Sequence, residues 1–299
     1  MRTVLYANNQ LSSYLRRNFV LCWQSERPVP VVTIDFGDGR VVKRTITGNA
    51  AHYVMDHHGN LLDVVPGIYG ANAFQRVISG SLRLWSQLQN VSDFKREIII
   101  ETYHKVRLKN IRKSWSKDLR TLGIFANVNL KPSRESLAVR AAIRTKSKRG
   151  IELPVIRSVQ VRKRSAQVHK ITTLREKTSQ NVWQQIARLH YRDAKLDRGS
   201  RSVIEWQNPI QITASKALVE SPVARLIRSF EKSLAEDTMR NEYEFHAKIH
   251  QWFCDGEAQK GFGYMNERVF REIFLTPANK PLIDLGEAYT GLLGDGLNN

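Results

Sequence analysis

The sequence predicts an α/β arrangement in the first part of the chain and a larger, mainly α-helical region after it. Residues 51–67 have the pattern of two short strands around a turn, in which Gly59 supplies the positive φ that such a turn needs. From residue 71 onward, apolar side chains recur at the three- and four-residue spacing of helices. These observations predict two domains, residues 1–90 and residues 91–299.

Composition limits the classes of protein to which the chain can belong. Its 299 residues, of which 41% are hydrophobic, are enough to build a real core. No stretch approaches 18 uninterrupted apolar residues, so no membrane span is expected, and residues 1–10 show no secretory signal. The two cysteines, Cys22 and Cys254, make no disulfide framework, which favours a reducing compartment and a cytoplasmic location.

The N-terminal elements follow one another closely. Residues 9–17 carry apolar side chains at the spacing of a helix face, and an asparagine at the start can cap that helix. Residues 18–23 are predicted to form a buried strand, in which Cys22 is a small core residue. A hairpin around Gly37-Asp38-Gly39 comes next, and the hairpin of residues 53–65 leads into a helix at 71–88.

This order of elements resembles the extended thioredoxin-like domains of many bacterial proteins. The features that carry the resemblance are the Asn18-Phe19-Val20 strand, the Asp-x-x-Gly turn at 56–59, Pro66-Gly67 and the helix that follows. The resemblance covers about the first 90 residues and implies a thioredoxin-like α/β module joined to a mainly α-helical C-terminal domain.

The chain departs from that family at its redox centre. A redox-active member carries Cys-x-x-Cys at the start of its first helix, where the helix N-terminus lowers the thiol pKa. No Cys-x-x-Cys occurs in this chain, and residues 48–51 lack the family's cis-proline. Residues 1–6 are also too short to supply the first strand. The resemblance therefore implies a redox-inactive, truncated module, or a native start that lies upstream of Met1.

Basic residues suggest a polyanionic partner. The net charge is +19, which favours nucleic acid or another polyanion, although a basic surface without a dedicated partner is the alternative. The helix at 93–119 has a basic face with Lys105, Arg107, Lys109, Arg112, Lys113 and Lys117. Residues 157–202 are the most basic region, and its candidate polyanion contacts are Arg162, Lys163, Arg164, Lys170, Arg175, Lys177, Arg188 and Arg192.

A thirteen-residue pattern occurs twice in the helical region. Residues 145–157 and 213–225 share Thr-x-Ser-Lys-x-x-[Ile/Val]-Glu-x-Pro-Val-x-Arg. Each copy is interpreted as a helix end, a break before proline and the start of the next helix. The alternative is that the Ser, Lys and Glu side chains of both copies converge on one polar site. Adjacent Ser and Lys point about 100° apart on a helix, so no catalytic pair is predicted.

Four potential metal ligands recur at four-residue intervals in the helix predicted from residue 222 to 253. They are Glu242, His246, His250 and Cys254, which this spacing places on one helix face. His-x3-His is a usable metal-binding geometry, and Glu and Cys are competent ligands. Helix packing is the alternative role for this face.

The leading functional prediction is a redox-inactive thioredoxin-like protein that acts through protein–protein contacts, with no cofactor and no catalytic residue. One alternative is a basic, nucleic-acid-binding protein. Another is a thiol–disulfide oxidoreductase whose cysteines lie upstream of a misassigned start.

Overall fold

The computed structural model describes residues 2–26, 29, 31–35, 37–39, 41–45, 48–124, 141–149, 173–207 and 221–277. The chain divides into two compact units, each assembled from three segments. Unit 1 consists of Met1–Cys22, Ala51–Leu130 and Ile171–Phe262, and unit 2 consists of Trp23–Ala50, Lys131–Lys170 and Gly263–Asn299. The boundary predicted at residue 90 lies inside unit 1.

The described chain is mainly helical, with four short strands. In chain order, its elements are a π-helical turn (Arg2–Tyr6), α1 (Asn9–Asn18), β1 (Val31–Asp35), β2 (Val41–Thr45), β3 (Ala51–Met55), β4 (Leu61–Pro66), α2 (Ala71–Gln87), α3 (Asp93–Thr121), α4 (Thr173–Glu176), α5 (Gln180–Leu189), a 3₁₀ turn (Tyr191–Ala194), α6 (Arg198–Gln207), α7 (Pro222–Arg240), a π-helical segment (Asn241–His246), α8 (Ala247–Cys254), a 3₁₀ turn (Glu257–Lys260), α9 (Phe262–Arg268) and a π-helical segment (Val269–Ile273).

The strands form two separate antiparallel hairpins. β1 pairs with β2 in unit 2, and β3 pairs with β4 in unit 1, where Val54 lies opposite Asp63. Gly59 in the β3–β4 turn has the positive φ of 84° that its position requires. Within the described residues no strand joins the two hairpins. The thioredoxin-like fold therefore stays a prediction.

Several predicted helices are confirmed with small shifts in their ends. The helix at 9–17 is α1, and the Asn8 side chain caps it by accepting a hydrogen bond of 2.8 Å from the Leu11 backbone N–H. The helices predicted at 71–88 and 93–119 are α2 and α3. The long helix predicted from residue 222 is a continuous helical run through α7, the π-helical segment and α8.

The buried strand predicted at 18–23 is wrong. Beyond α1 the chain has no regular structure as far as residue 26, and Val20 is 95% exposed. Cys22 is also exposed, so its assignment to the core is wrong as well. The reason is that no described strand pairs with this segment, and an apolar run without a pairing partner cannot satisfy its backbone as a strand.

Unit 1 is built around apolar side chains from most of its elements. One cluster contains Leu5, Leu11 and Phe74, which are almost fully buried. A second cluster lies where α3, α5 and the end of α7 meet, and Trp115 and Trp183 are buried in it. α3 contributes to this packing because its buried residues fall on one face of the helix; they are His104, Leu108, Ile111, Trp115, Asp118 and Leu119.

Unit 2 contains the β1–β2 hairpin, two short helical stretches at 141–143 and 146–149, and the helical residues after 262. The Arg144 guanidinium donates to the Glu272 carbonyl at 3.0 Å, and Lys148 donates to the Gly48 carbonyl. Most of both copies of the repeated pattern, 150–157 and 213–220, lies outside the described residues. In the described part of the chain, no helix is both long and apolar enough to cross a membrane.

Candidate functional site

Four ionisable side chains from four elements of unit 1 meet in its interior. Asp63 comes from β4, His104 from α3, His246 from the π-helical segment and His250 from α8, and all four are completely buried. Buried polar groups are costly unless they are paired. We call this group the Asp–His cluster and regard it as the candidate site.

Asp63 is held by donors on both carboxylate oxygens. Its Oδ1 accepts hydrogen bonds from the Val64 backbone N–H at 2.8 Å and from His246 Nε2 at 2.8 Å. Its Oδ2 accepts from the Ser81 hydroxyl at 3.2 Å. All six positions of β4 are buried, so the carboxylate has no route to bulk solvent along the strand. These donors fix its orientation.

The partners of His104 determine the tautomers of two histidines. His104 Nε2 lies 3.1 Å from the Leu62 carbonyl oxygen, which can only accept, so the proton is on Nε2. A neutral His104 then has a lone pair on Nδ1, and the contact of 2.7 Å with His250 Nδ1 requires His250 to donate. His250 Nε2 is left with a lone pair, and among the described residues it has no hydrogen-bond partner.

The π-helical segment brings His246 to the same place. Its ring stacks on that of His250 with 4.0 Å between centroids, while its Nε2 bonds to Asp63. Its Nδ1 is buried and has no partner within the described part of the chain. Single π-helical turns inside α-helices are frequent at functional sites, because the inserted residue re-aims the side chains around it.

Burial determines the protonation of the cluster. Burial alone would raise the pKa of Asp63, but the charge and hydrogen bond of His246 hold that pKa below its usual range. Burial lowers the pKa of His104 to about 4, although the Asp63 carboxylate acts in the opposite direction. Burial also lowers the pKa of His250, and the charge of His246 adds to this effect. At neutral pH, Asp63 is thus an anion, and His104 and His250 are neutral imidazoles.

The four predicted metal ligands do not all meet. His246 and His250 lie in the cluster, whereas Cys254 is half-buried and free. Burial raises the pKa of the Cys254 thiol. Glu242 is also half-buried, and its charge acts on Tyr69 and other groups outside the cluster. The described donor atoms that lie within 4.8 Å of one another belong instead to Asp63, His104 and His250.

Two members of the cluster were missed in the sequence, although each has a recognisable signal. Asp63 is a lone charge inside the apolar run Leu61–Pro66. His104 lies on the buried stripe of α3, four residues before Leu108. A charged or titratable residue at a core position of a strand or helix is the signal that could have found them.

A second candidate surface is the exposed side of α3. Of the predicted basic residues, Arg107 is half-buried and its charge acts on the Asp–His cluster. The other five remain exposed, and Arg120 extends the row. We call this surface the α3 basic face, and it consists of Lys105, Lys109, Arg112, Lys113, Lys117 and Arg120.

The other predicted polyanion contacts differ in their exposure and ion pairing, and some lie outside the described residues. Arg162, Lys163, Arg164 and Lys170 lie outside the described residues. Arg175 pairs with Glu244 at 2.9 Å, and Lys177 is half-buried. Arg188 and Arg192 are exposed.

A smaller polar group shows how unit 1 favours the protonated form of a histidine. His190 Nε2 and the Tyr243 hydroxyl both lie 2.7 Å from Asp118 Oδ2. The hydrogen bond to Asp118 raises the pKa of His190. Asp118 accepts a hydrogen bond from both His190 and Tyr243. Unlike the Asp–His cluster, these three side chains leave no buried polar atom without a partner among the described residues.

Comparison of the chain with protein-family models, with curated proteins and with solved structures found no match.

Proposed function

We propose that the protein binds nucleic acid through the α3 basic face. The observation that carries this proposal is a row of exposed cations with little opposing charge. Lys105 pairs with Glu101 at 2.7 Å, but Lys109, Lys113 and Lys117 have no ion pair with any described residue. The acidic residue nearest the end of the row, Asp118, points inward and bonds to His190.

The geometry of the row suits a phosphate backbone. At 100° per residue, the six side chains occupy an arc of about 140°, opposite the buried stripe of α3. From Lys105 to Arg120 the row extends about 22 Å along the helix axis. Lysine and arginine aligned along a helix contact successive phosphates and release condensed counterions, and this release is the main source of sequence-independent affinity.

The test is the salt dependence of binding by the full chain. We would measure binding to a duplex DNA and to a single-stranded RNA by fluorescence anisotropy between 50 and 200 mM salt. If Lys109, Arg112, Lys113, Lys117 and Arg120 each contact a phosphate, the log–log slope for duplex DNA should be at least as steep as about −4.5. The affinity would then fall about 500-fold over that range.

A charge-matched pair of triple variants separates the α3 basic face from overall charge. Lys109→Gln with Lys113→Gln and Lys117→Gln should make the slope shallower by about 2.7, because three phosphate contacts are lost. The control replaces the exposed Arg16, Arg17 and Lys232 by Gln, which changes the net charge equally and should leave the slope unchanged. No binding at 50 mM salt, or equal weakening by both triples, would refute the proposal.

A second candidate function is protein–protein contact by a module without thiol chemistry, located in the cytoplasm. It is favoured by the irregular segment after α1, where Val20 is 95% and Leu21 57% exposed. Cys22 and Cys254 are both free, and neither is part of a Cys-x-x-Cys pair. As part of this candidate function, we propose a thioredoxin-like fold for residues 1–90.

An insulin-reduction assay tests the redox part of this candidate. We expect the full chain not to accelerate reduction of insulin by dithiothreitol, because the chain lacks a dithiol that can cycle. If the wild type accelerates insulin reduction and Cys22→Ser does not, the chain has thiol–disulfide activity, and the prediction of a redox-inactive module is rejected.

A further inference from the structure

The Asp–His cluster is not explained by nucleic-acid binding, because all of its members are buried. A purely structural hydrogen-bond network is expected to satisfy its buried polar atoms. This one leaves His250 Nε2 and His246 Nδ1 without a partner among the described residues. Hydrogen bonding within the cluster therefore does not by itself account for three histidines buried beside an anionic carboxylate.

We propose that Asp63, His104 and His250 bind a divalent transition-metal ion of the zinc class. Imidazole nitrogen and carboxylate oxygen are ligands that Zn²⁺ accepts readily. One donor atom from each of these three residues already lies within 4.8 Å of the other two. Ligands around a tetrahedral zinc ion lie about 3.3 Å apart, so the donors need to move by only about 1.5 Å or less.

The surroundings of the three residues have the form of an outer ligand shell. A metal-bound histidine usually donates its other N–H to a carbonyl or carboxylate, which fixes the ring and its tautomer. His104 does this through its Nε2 contact of 3.1 Å with the Leu62 carbonyl, so Nδ1 has the lone pair that a metal needs. Ligating carboxylates are hydrogen-bonded in the same way, and here His246 and Ser81 hold Asp63.

Metal binding would replace the direct contact between the two histidines. His104 Nδ1 and His250 Nδ1 are 2.7 Å apart and share one proton. When the proton of His250 moves to Nε2, both Nδ1 atoms present lone pairs, and an ion can lie between them and the Asp63 carboxylate. The ion brings two positive charges, of which the Asp63 carboxylate neutralises one, while the two imidazoles coordinate it as neutral ligands.

The experiment uses the full-length chain, treated with a chelator and then titrated with Zn²⁺ in competition with a chromophoric chelator. We expect one zinc ion per chain. His104→Gln and Asp63→Asn should weaken binding more than 100-fold, beyond the roughly 10–100-fold loss that follows removal of an outer-shell partner. Ser81→Ala, which removes one hydrogen bond to Asp63, should fall within that smaller range.

Two controls and one spectroscopic measurement define the ligands. Cys254→Ser and His58→Asn, which alter a thiol and an exposed histidine outside the cluster, should bind zinc like the wild type. X-ray absorption at the zinc edge should show nitrogen and oxygen neighbours at about 2.0–2.2 Å and no sulfur at about 2.3 Å. The sulfur distance would be present if Cys254 were a ligand.

Three results would overturn the proposal. They are the absence of stoichiometric zinc in the wild type, sulfur in the first shell, and unchanged affinity in His104→Gln or, where that variant does not fold, in Ser81→Ala. Near-ultraviolet circular dichroism checks that each variant is folded. The Ser81→Ala result keeps the proposal falsifiable if His104→Gln does not fold.

Discussion

The buried histidines predict that acid destabilises unit 1 well above the pH at which carboxylates titrate. The pKa of His104 is about 4 in the folded chain and 6.5 as a free side chain, so the unfolded chain binds the proton first. A group with a lowered folded pKa contributes its full stability above pH 6.5 and loses it as the pH falls towards 4. For His104 the loss is about 1.8 kcal/mol between pH 7 and pH 5, and about 3 kcal/mol in total.

Three other titratable groups affect how the stability of unit 1 changes with pH. The pKa of His250 is also lowered by burial, so His250 acts in the same direction. The pKa of His190 is raised by its hydrogen bond to Asp118, so its contribution is fully present below pH 6.5 and is lost as the pH rises through the raised value. His190 therefore opposes the buried histidines above pH 6.5. The pKa of Asp63 is lowered so far that it titrates below this window.

Urea denaturation in the presence of a chelator, followed by fluorescence of the buried Trp115 and Trp183, measures the effect. We expect the wild type to lose at least about 1.8 kcal/mol between pH 7 and pH 5 in excess of the loss in His104→Gln. His58→Gln removes an exposed histidine and should keep the wild-type loss. The reasoning is refuted if the wild type is equally stable at both pH values, or if His104→Gln loses as much as the wild type.

Three further predictions concern packing and hydrogen bonds in the described chain. Trp115→Ala should lower the free energy of unfolding by about 3–5 kcal/mol in urea, because Trp115 is only 4% exposed and stacks in an aromatic cluster. Gly70→Ala should cost about 1–3 kcal/mol by the same assay, because a Cβ there would overlap a neighbouring backbone carbonyl; Gly263→Ala meets no atom within 4 Å and should be nearly neutral. Asp118→Asn should lower the pKa of His190 in an NMR titration, since the hydrogen bond that His190 donates to the Asp118 carboxylate is what raises it.

Local patterns in the sequence were sufficient for most of the helices and both hairpins. The Asn8 cap, the Gly59 turn and the three- and four-residue spacing in α3 each depend on residues close in the chain. The strand at 18–23 failed because a strand is defined by its partner, and no local pattern reveals whether a partner exists. For the same reason, the sequence alone could not show whether the two hairpins belong to one sheet.

The candidate site shows the same limit in another form. His246 and His250 were predicted as a pair because they are close in the sequence, and the structure does stack their rings. Asp63 and His104 come from distant elements, so only the fold could bring them together. Spacing alone favoured Cys254 and Glu242, which the π-helical segment and the packing of α8 leave outside the cluster.

The low basicity of the buried histidines and the proposed metal site have one physical origin. Burial that lowers the pKa of His104 to about 4 also keeps its imidazole neutral at pH 7, and only the neutral ring has a lone pair for a metal. Zinc at 100 times its dissociation constant would add about 2.7 kcal/mol of stability, and protons compete with the metal for the same nitrogens. The loss of stability between pH 7 and pH 5 should therefore be larger with zinc than with chelator. Equal losses would mean that the histidines titrate but bind no metal.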